Sequence, residues 1–389
     1  MKILVLLSRF PYPLEKGDKL RAYHQIRYLG RNNEIYLCAL TQKKPLPEHL
    51  EMLKPHCKSI HVFRISKWSV LINLIRAFFS GKPFQVGYFY NRHVHAKIRS
   101  VARSVQPEHV YCQLLRVAEY ARDLNIPKTL DYQDVFSKGV ERRIKKAPFY
   151  LSPVFRSEYK RLLKYEHSAF EWFDHKTIIS EPDRELIPHE RRNEIRVVEN
   201  GVDLDFFTPV DLSKEYDLVF IGNMGYPPNI DAAEFLAGKI LPEVHRTRPE
   251  TTLTLAGANP HSRVKALQSE KVTVTGWVDD IRESYAKARI FIAPMRIGTG
   301  LQNKLLEAMA MRIPCITTHL AHSALNAEPG REILVAGSAG EMAEQILSLL
   351  SDKQLSERIA SEGRKFVRSK YSWEKATLKL LDLMQTAGK

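Results

Sequence analysis

Cysteine is scarce in this chain and forms no recognisable pattern. The 389 residues include only four cysteines, and no two of them have CxxC spacing. These residues are Cys38, Cys57, Cys112 and Cys315. Three of them lie in apolar, strand-like runs, so we expect buried free thiols rather than a disulfide framework or a zinc site. Histidine shows no metal-ligand spacing either, because His93 and His95 alone do not specify a site.

Long hydrophobic runs are also missing. No stretch of about 18 apolar residues occurs, so no segment is expected to span a membrane. The apolar run near the N-terminus is limited to Ile3–Leu7, which suits a buried strand and is too short for a signal-peptide core. With 44% hydrophobic and 26% charged residues, the composition is that of a globular protein. At 389 residues the chain exceeds what one core usually supports, and we expect a cytoplasmic protein of two domains.

Acidic residues are under-represented in the first half of the chain. Residues 1–180 contain 32 Lys and Arg against 15 Asp and Glu, a balance of +17. The remaining residues contain 27 against 29, a balance of −2. This asymmetry suggests a polyanionic partner for the first domain, either anionic lipid at the inner face of the cytoplasmic membrane or nucleic acid. Nucleic acid is disfavoured because no binding motif is present, and a general effect on solubility is the alternative.

Strand-like and helical patterns alternate along the chain, which predicts parallel sheets in an α/β fold. The predicted strands of the first half are Lys2–Ser8, Glu34–Thr41, Ser59–Ile65, His109–Leu114, Lys128–Asp134 and Lys176–Ser180. Those of the second half are Asp217–Gly222, Thr251–Gly257, Val272–Trp277, Ile290–Pro294, Cys315–Thr318 and Ile333–Val335. The longest helical pattern covers Lys138–Phe170, and three amphipathic helices are predicted over Glu341–Thr386.

One segment, Phe291–Thr318, combines more signals than any other part of the chain. It reads as an apolar strand, a glycine turn at Gly298, Thr299 and Gly300, a helix from Leu301, and a second apolar strand. The turn allows backbone N–H groups to approach a ligand, and the start of the helix adds its positive dipole end. The segment therefore predicts an anion-binding site.

Two charged residues of this predicted helix share one side. Lys304 lies in the first turn, where a cation opposes the helix dipole unless an anion is bound. Glu307 follows three residues later and can accept hydrogen bonds from sugar hydroxyls. On spacing alone, the alternative is an ordinary strand–helix–strand unit with a solvated Lys–Glu pair.

This segment resembles the donor-site signature of family 4 of the retaining glycosyltransferases, most nearly those associated with exopolysaccharide synthesis. Four further segments resemble motifs of the same family, in the same order along the chain. They are Thr177–Arg184, Val197–Asp203, Phe220–Asp231 and Tyr371–Glu374. The resemblance implies the GT-B architecture, an α/β fold of two Rossmann-like domains whose parallel sheets face each other across a cleft.

The resemblance also implies how the two domains divide the chain. Residues 1–200 would form the acceptor domain, joined by a C-terminal helix within 372–389, and residues 201–371 would form the nucleotide-sugar donor domain. Donor contacts would come from both domains. They are Gly17, Lys19, Arg21, Gly222, Asn223, Trp277, Val278, Arg296, Gly298, Thr299, Gly300, Leu301, Lys304 and Glu307.

In the implied donor domain, Glu307 would bind the ribose, while Lys304 and Arg296 would neutralise the diphosphate. The family often has basic residues after the glycine that Gly222 matches, whereas this chain has Asn223. The first glutamate of the family's Glu-x7-Glu motif is replaced by Thr299, which we interpret as altered sugar handling. Trp277 and Val278 would hold the nucleotide base through their backbone. A core tryptophan is the alternative for Trp277.

In the implied acceptor domain, the loop containing Gly17 would cover the donor diphosphate, with Lys19 and Arg21 adding positive charge. An ordinary Pro/Gly turn is the alternative. On the acceptor side, Asp134 falls where the family has an acidic or histidine residue after a strand, and Asp131 lies nearby. Either residue would position the acceptor hydroxyl. A helix cap is the alternative for Asp134.

The apolar stretch Trp68–Phe79 has two interpretations. It can form a buried core helix, which its composition favours, or it can lie on a membrane surface beside basic residues.

Together with the resemblance, which alone implies retention of anomeric configuration, these observations predict a retaining glycosyltransferase that moves a sugar from a nucleoside-diphosphate donor to a lipid-linked or growing saccharide. Lys304, Asp131 and Asp134 are the predicted catalytic residues. No metal or cofactor is expected, because basic side chains and the helix dipole take the charge of the leaving group. The alternatives are a nucleotide-sugar epimerase of the same architecture and a non-catalytic module that binds acidic lipid or nucleic acid.

Overall fold

A computed structural model describes residues 1–14, 16–144, 147–297 and 301–386. The chain divides into two compact units. The first consists of Met1–Glu199 together with the C-terminal segment that begins at Trp373, and the second of Asn200–Ser372.

The first unit contains a sheet of seven parallel strands in the order β3-β2-β1-β4-β5-β6-β7. These strands are β1 (Lys2–Leu7), β2 (Glu34–Thr41), β3 (Ser59–Arg64), β4 (His109–Gln113), β5 (Lys128–Asp131), β6 (His175–Ile178) and β7 (Arg196–Val197). Its helices up to residue 199 are α1 (Gly17–Leu29), α2 (Pro47–Glu51), α3 (Lys67–Ser80), α4 (Phe84–Phe89), α5 (Arg92–Val105), α6 (Ala118–Ala121), α7 (Phe136–Ile144), α8 (Ser152–Phe170) and α9 (Glu181–Arg184).

Strand β1 shows why the central strands are apolar throughout. Successive side chains of a strand point to opposite faces of the sheet. Accordingly, Leu4 and Leu6 pack in one hydrophobic cluster while Ile3 and Val5 pack in another on the other face. Because helices cover both faces, the strand has no solvent-facing side and reads as a continuous apolar run.

The second unit contains a sheet of six parallel strands in the order β10-β9-β8-β11-β12-β13. These strands are β8 (Tyr216–Ile221), β9 (Leu253–Ala256), β10 (Val272–Gly276), β11 (Ala288–Ala293), β12 (Cys315–Thr317) and β13 (Leu334–Val335). Its helices are α10 (Pro227–Phe235), α11 (Leu241–His245), α12 (Ser262–Lys265), α13 (Ile281–Ala286), α14 (Asn303–Ala310), α15 (His319–His322), α16 (Ala339–Ser351) and α17 (Lys353–Lys370). A short π-helical segment, Leu236–Ile240, joins α10 to α11.

The last helix, α18 (Trp373–Thr386), returns to the first unit. Its residues Ala376, Leu380 and Met384 join the hydrophobic cluster on the α1 side of the first sheet. Trp373 is fully buried there and stacks on His24 with ring centroids 4.9 Å apart. The family resemblance implied this return of the chain.

Both sheets have the strand order of the Rossmann fold, in which the order reverses beside the first strand. The predicted fold class, α/β with two Rossmann-like parallel sheets, is therefore confirmed. The prediction of one long helical region over Lys138–Phe170 is wrong in detail, since separate helices α7 and α8 occupy it. The three predicted C-terminal helices are confirmed as α16, α17 and α18.

All four cysteines are free, and three of them are buried. Within the described ranges, we find no helix with the length and hydropathy needed to cross a bilayer.

Candidate donor and acceptor sites

The second sheet predicts where its ligand should lie. In doubly wound sheets, ligands bind outside the carboxyl ends of the strands, at the point where the strand order reverses. In this unit that point lies between β8, which ends at Ile221, and β11, which ends at Ala293. Gly222 follows the first of these strands and Arg296 follows the second, so two predicted donor residues flank the reversal point.

Close packing requires glycine at Gly257 and leaves little room for a side chain at Gly222. A Cβ atom on Gly257 would lie 1.9 Å from the Gly222 carbonyl oxygen, and Gly257 has a φ of +136°. A Cβ atom on Gly222 would lie 2.7 Å from Asn229 Nδ2 and 3.1 Å from Lys304 Nζ. The backbone therefore comes close to the polar groups of this site because two side chains are absent.

Asn229 connects the Gly222 loop to helix α14. It is buried near the start of α10, and its Nδ2 donates to the Asn223 carbonyl oxygen at 2.9 Å. Its Oδ1 accepts a hydrogen bond of 2.6 Å from Lys304 Nζ. The ammonium group of Lys304 also lies 4.6 Å from the centre of the Phe220 ring. A hydrogen bond and a cation–π contact thus fix Lys304 at the reversal point.

Glu307 has a partner of its own. The Tyr285 hydroxyl, which is fully buried on α13, donates to Glu307 Oε2 at 2.8 Å and also lies 3.3 Å from the Lys304 carbonyl oxygen. The solvated Lys–Glu pair considered from the sequence is therefore not what forms. Each charge is held by a different polar side chain, which leaves both groups half-buried on one side of α14.

Burial shifts the titration of both groups toward neutrality. Loss of solvent lowers the pKa of Lys304 to about 7, although nearby Glu307 acts to raise it. Burial likewise raises the pKa of Glu307, opposed by the Tyr285 hydrogen bond and by Lys304. A half-buried lysine with a pKa near neutrality accommodates a bound anion well, because the anion restores its charged form.

Arg296 is already partly neutralised. Its guanidinium makes two hydrogen bonds to Asp231 of α10, at 2.8 and 3.1 Å, and lies 4.3 Å from the Phe235 ring. The side chain is half exposed. Arg296 therefore lies near the reversal point, but a phosphate bound there would compete with Asp231 for its guanidinium group.

The structure does not bring the Trp277 side chain to this site. Trp277 is 68% exposed, so the alternative interpretation as a core tryptophan is wrong. With Val278 it lines a separate groove of about 630 Å³, whose lining also includes Tyr216 and Thr275. The backbone just before Trp277 lies closer to the site than the Trp277 side chain does. Gly257, which packs against Gly222, donates its N–H to the Gly276 carbonyl oxygen at 3.0 Å. A role for Trp277 and Val278 in holding a base stays a prediction.

The predicted glycine turn lies outside the described residues, so Gly298, Thr299 and Gly300 remain predictions. Helix α14 begins at Asn303, two residues later than predicted from Leu301. The Leu301 side chain is half-buried and packs against the core of the second unit.

In the first unit, Arg21 and Asp131 form a buried ion pair. Arg21 Nε donates to Asp131 at 2.7 Å, and both side chains are completely inaccessible to solvent. The carboxylate also accepts hydrogen bonds from the hydroxyls of Tyr111 at 2.7 Å and Thr177 at 3.0 Å. Neither Arg21 nor Asp131 is accessible to solvent here, because each is enclosed with its protein partners, and their predicted donor and acceptor roles stay predictions.

Gly17 and Lys19 lie at the start of helix α1. Gly17 is the first residue of this helix and is exposed, and a Cβ atom there would meet nothing within 4 Å. The space around Gly17 therefore does not demand glycine. Lys19 is half-buried and lines a large groove.

This groove lies at the reversal point of the first sheet and has a volume of about 1080 Å³. Six of its described lining residues are cationic, and none is acidic. The cations are Arg9, Lys16, Lys19, Lys43, Lys44 and Arg116. Of these, Arg9 is paired with Asp18 at 2.7 Å. Sequence analysis missed the groove, although the residues that follow β1 and β4 could have located it through the reversal rule.

Arg116 is the most unusual of these cations. Burial lowers the pKa of its guanidinium to about 10, and the neighbouring Arg9 adds to the effect. Its guanidinium carbon lies 4.9 Å from the centre of the Phe136 ring and 5.2 Å from the centre of the Phe89 ring. Its Nε atom is buried without a hydrogen-bond partner among the described residues. An unsatisfied donor beside a basic groove indicates an anion site.

Asp134 lies near this groove, within electrostatic range of Arg116. Desolvation of the carboxylate raises the pKa of Asp134, and Asp183 adds to the increase. The residue nevertheless remains exposed overall, and one carboxylate oxygen accepts from the backbone N–H of Val135 at 2.8 Å. Of the two predicted acceptor-side carboxylates, Asp134 therefore reaches solvent and Asp131 does not.

Residues 215–352 match the protein-family model described as glycosyl transferases group 1. This range contains Gly222, Asn229, Lys304 and Glu307, so the match covers the polar cluster of the second unit. The domain match and the two Rossmann-like units together support a glycosyltransferase of the GT-B class.

Two similar proteins extend this comparison over nearly the whole chain, and a third matches part of it. An uncharacterized 44.6 kDa protein of the cps region of Klebsiella pneumoniae is 22% identical over 96% of this chain and 97% of its own. The capsular polysaccharide biosynthesis glycosyltransferase CapM of Staphylococcus aureus is 32% identical over 28% of this chain and 30% of its own. The crystal structure of Anabaena Alr3699/HepE in complex with UDP and glucose has a TM-score of 0.72 at 14% identity, covering 99% of this chain and 100% of that one.

Proposed function

We propose that the protein is a retaining glycosyltransferase of the family 4 type, acting in the synthesis of a bacterial surface polysaccharide. It moves a sugar from a nucleoside-diphosphate donor to a lipid-linked or growing saccharide. The observation that carries the proposal is the cluster of Asn229, Lys304 and Glu307 at the reversal point of the second sheet. HepE, which shares the fold, binds UDP and glucose.

In this proposal Lys304 and the N-terminal end of α14 bind the donor diphosphate. Transfer breaks the bond between the sugar's anomeric carbon and the diphosphate, and the leaving oxygen gains negative charge. Lys304 stabilises that charge more strongly than it stabilises the bound donor. Glu307 accepts hydrogen bonds from the ribose hydroxyls and so orients the nucleotide. Retention of anomeric configuration rests on the family resemblance, and a metal-independent reaction stays a prediction.

The basic groove of the first unit supports an anionic acceptor. A saccharide joined to a lipid through phosphate groups brings negative charge that Arg116, Lys43 and Lys44 can neutralise. Asp134 lies beside the groove with a raised pKa, which suits a group that accepts a proton from the attacking hydroxyl.

A panel of nucleotide sugars tests the donor assignment directly. Binding to the folded state raises the thermal unfolding midpoint, and a ligand at about 100 times its dissociation constant adds about 2.7 kcal/mol. We expect nucleotide sugars with one particular base to stabilise the protein more than the others, because the proposed site is selective for the base that it binds. Equal and negligible shifts across the whole panel would contradict a nucleotide-sugar site. Conversion of the sugar without any acceptor would instead indicate the epimerase.

The low pKa of Lys304 predicts pH-dependent donor binding. Lys304 is charged below pH 7 and loses its proton as the pH rises through about 7. A bound diphosphate favours the charged form, so binding above pH 7 must take up a proton. We expect donor affinity to fall by up to about tenfold per pH unit above this pKa. Calorimetry in buffers of different ionisation enthalpy measures both the donor affinity and the number of protons taken up on binding.

A matched pair of variants isolates this effect. Lys304→Met keeps an unbranched side chain against Phe220 but removes the lysine that titrates near pH 7, so its weaker binding should lack the fall in affinity above that pH. Lys239→Met removes an exposed lysine of the same unit and should retain the native pH profile. The diphosphate of a nucleotide sugar is esterified at both ends and does not titrate near neutrality. If the Lys304→Met variant keeps the native profile, Lys304 is not the titrating group.

A further inference from the structure

Helix α3 of the first unit has apolar side chains on two opposite faces. One face contacts the protein: Asn73 and Ala77 are buried, Val70 packs against the core, and Leu74 lines the basic groove. The opposite face is fully apolar and exposed. Its residues are Trp68, Leu71, Ile72, Ile75, Phe78 and Phe79, which we call the α3 ridge.

The ridge is a continuous stripe rather than a set of scattered exposed residues. Its members recur every three or four positions, so they lie above one another along the helix. From Trp68 to Phe79 the stripe is about 16 Å long at the rise of an α-helix. Trp68 is 76% exposed and Phe79 is 81% exposed. Of the two interpretations of this segment, a helix buried on all sides is therefore excluded, and an apolar patch of this kind marks an interaction surface.

A second exposed apolar segment lies at the start of a helix that contacts α3. Phe149, Tyr150 and Leu151, just before α8, and Val154, in its first turn, are exposed, and Phe149 is 88% exposed. Further along α8, Arg161 donates to the carbonyl oxygens of Ala77 and Phe78 at 2.9 and 3.2 Å, which ties α8 to the end of α3. Val154 and Arg161 share one face of α8, because they are two turns apart.

The chain segment that contains the ridge has charge of one sign. Residues 52–107 contain ten Lys and Arg and no Asp or Glu. Two of these cations, Lys67 and Arg76, lie on α3 itself. Neither has a carboxylate partner within the described part of the chain. A partner for this face must therefore offer an apolar layer together with negative charge.

We propose that the α3 ridge docks the first unit onto the surface of an anionic lipid bilayer. The apolar and aromatic side chains enter the boundary between headgroups and acyl chains, while Lys67 and Arg76 contact anionic headgroups. Tryptophan is favoured at that depth because its ring is amphipathic. A second copy of this chain is a poorer partner, since two surfaces with the same excess of cations repel each other.

Vesicle sedimentation with the full-length protein tests this proposal. We expect binding to vesicles of phosphatidylcholine mixed with phosphatidylglycerol, and weaker binding to phosphatidylcholine alone. Added salt should weaken the first interaction, because it screens the exposed charges. The double variant Trp68→Ser/Phe79→Ser should bind at least about tenfold more weakly to both kinds of vesicle, since it removes two inserted rings. Lys67→Gln/Arg76→Gln should reduce binding only to the anionic vesicles, by about fivefold per cation.

The matched control is Met52→Ser/Leu378→Ser, which removes two other exposed apolar side chains of the same unit. It should bind vesicles as the native protein does. All the substituted side chains are exposed, so the variants should unfold at the native midpoint. The proposal is overturned if the native protein leaves the vesicles unbound, or if the ridge variant binds as tightly as the control. It is also overturned if the ridge holds a dimer in solution that the double variant dissociates while vesicle binding stays unchanged.

Discussion

Replacement of Glu307 by alanine should weaken the binding of the preferred nucleotide sugar by about 100-fold, or roughly 3 kcal/mol. The carboxylate accepts hydrogen bonds from the ribose in our proposal, and hydrogen bonds to a charged group are worth about 1.5–3 kcal/mol each. The fold should tolerate the change, because the Tyr285 hydroxyl can still reach the Lys304 carbonyl oxygen at 3.3 Å. Calorimetric titration with the nucleotide sugar and with the free nucleoside diphosphate measures the loss.

Titration with both ligands distinguishes a contact of Glu307 with the ribose from a contact with the transferred sugar. Both contain the ribose, so Glu307→Ala should weaken both by a similar factor. Glu344→Ala removes an exposed glutamate on α16 of the same unit and serves as the control for lost charge. A native affinity in Glu307→Ala for every nucleotide sugar would remove the ribose role. A loss confined to the nucleotide sugar would instead move Glu307 to the sugar subsite.

The sequence predicted the common helix face of Lys304 and Glu307 because the two residues are close together along the chain. Lys304 and Glu307 lie on one short helix, so their common face follows from helical spacing alone. The partners that hold them were not predictable in this way. Asn229 lies 75 positions from Lys304, and Tyr285 lies 22 positions from Glu307. Such pairings depend on the order of strands in the sheet, which a local pattern does not contain.

The acceptor side was predicted less well for the same physical reason. The groove of the first unit gathers residues that follow β1, β2 and β4, together with α1 and α4, and no single segment carries its signature. The excess of basic residues pointed to an anionic partner but not to a place. Arg21 illustrates the same difficulty. Its charge suggested a ligand contact, yet its partner Asp131 lies 110 positions away in the interior.

That buried pair predicts a large effect on stability. Asp131→Ala should lower the free energy of unfolding by about 3–5 kcal/mol, because it leaves the Arg21 charge in the interior without its main partner. Arg21→Met/Asp131→Leu should be more stable than either single replacement, since it removes both charges. Urea denaturation followed by circular dichroism measures these differences.

Comparing Asp134→Asn with Asp131→Asn distinguishes a carboxylate that reacts from one that only stabilises the fold. This residue is exposed, so its replacement should change the free energy of unfolding by less than about 0.5 kcal/mol while lowering the rate of sugar transfer. Asp131→Asn should lose stability and activity together, because the same buried network supports both. If Asp131→Asn unfolds at the native urea concentration yet transfers no sugar, then Asp131 takes part in the chemistry, and the ion pair with Arg21 must open during the reaction.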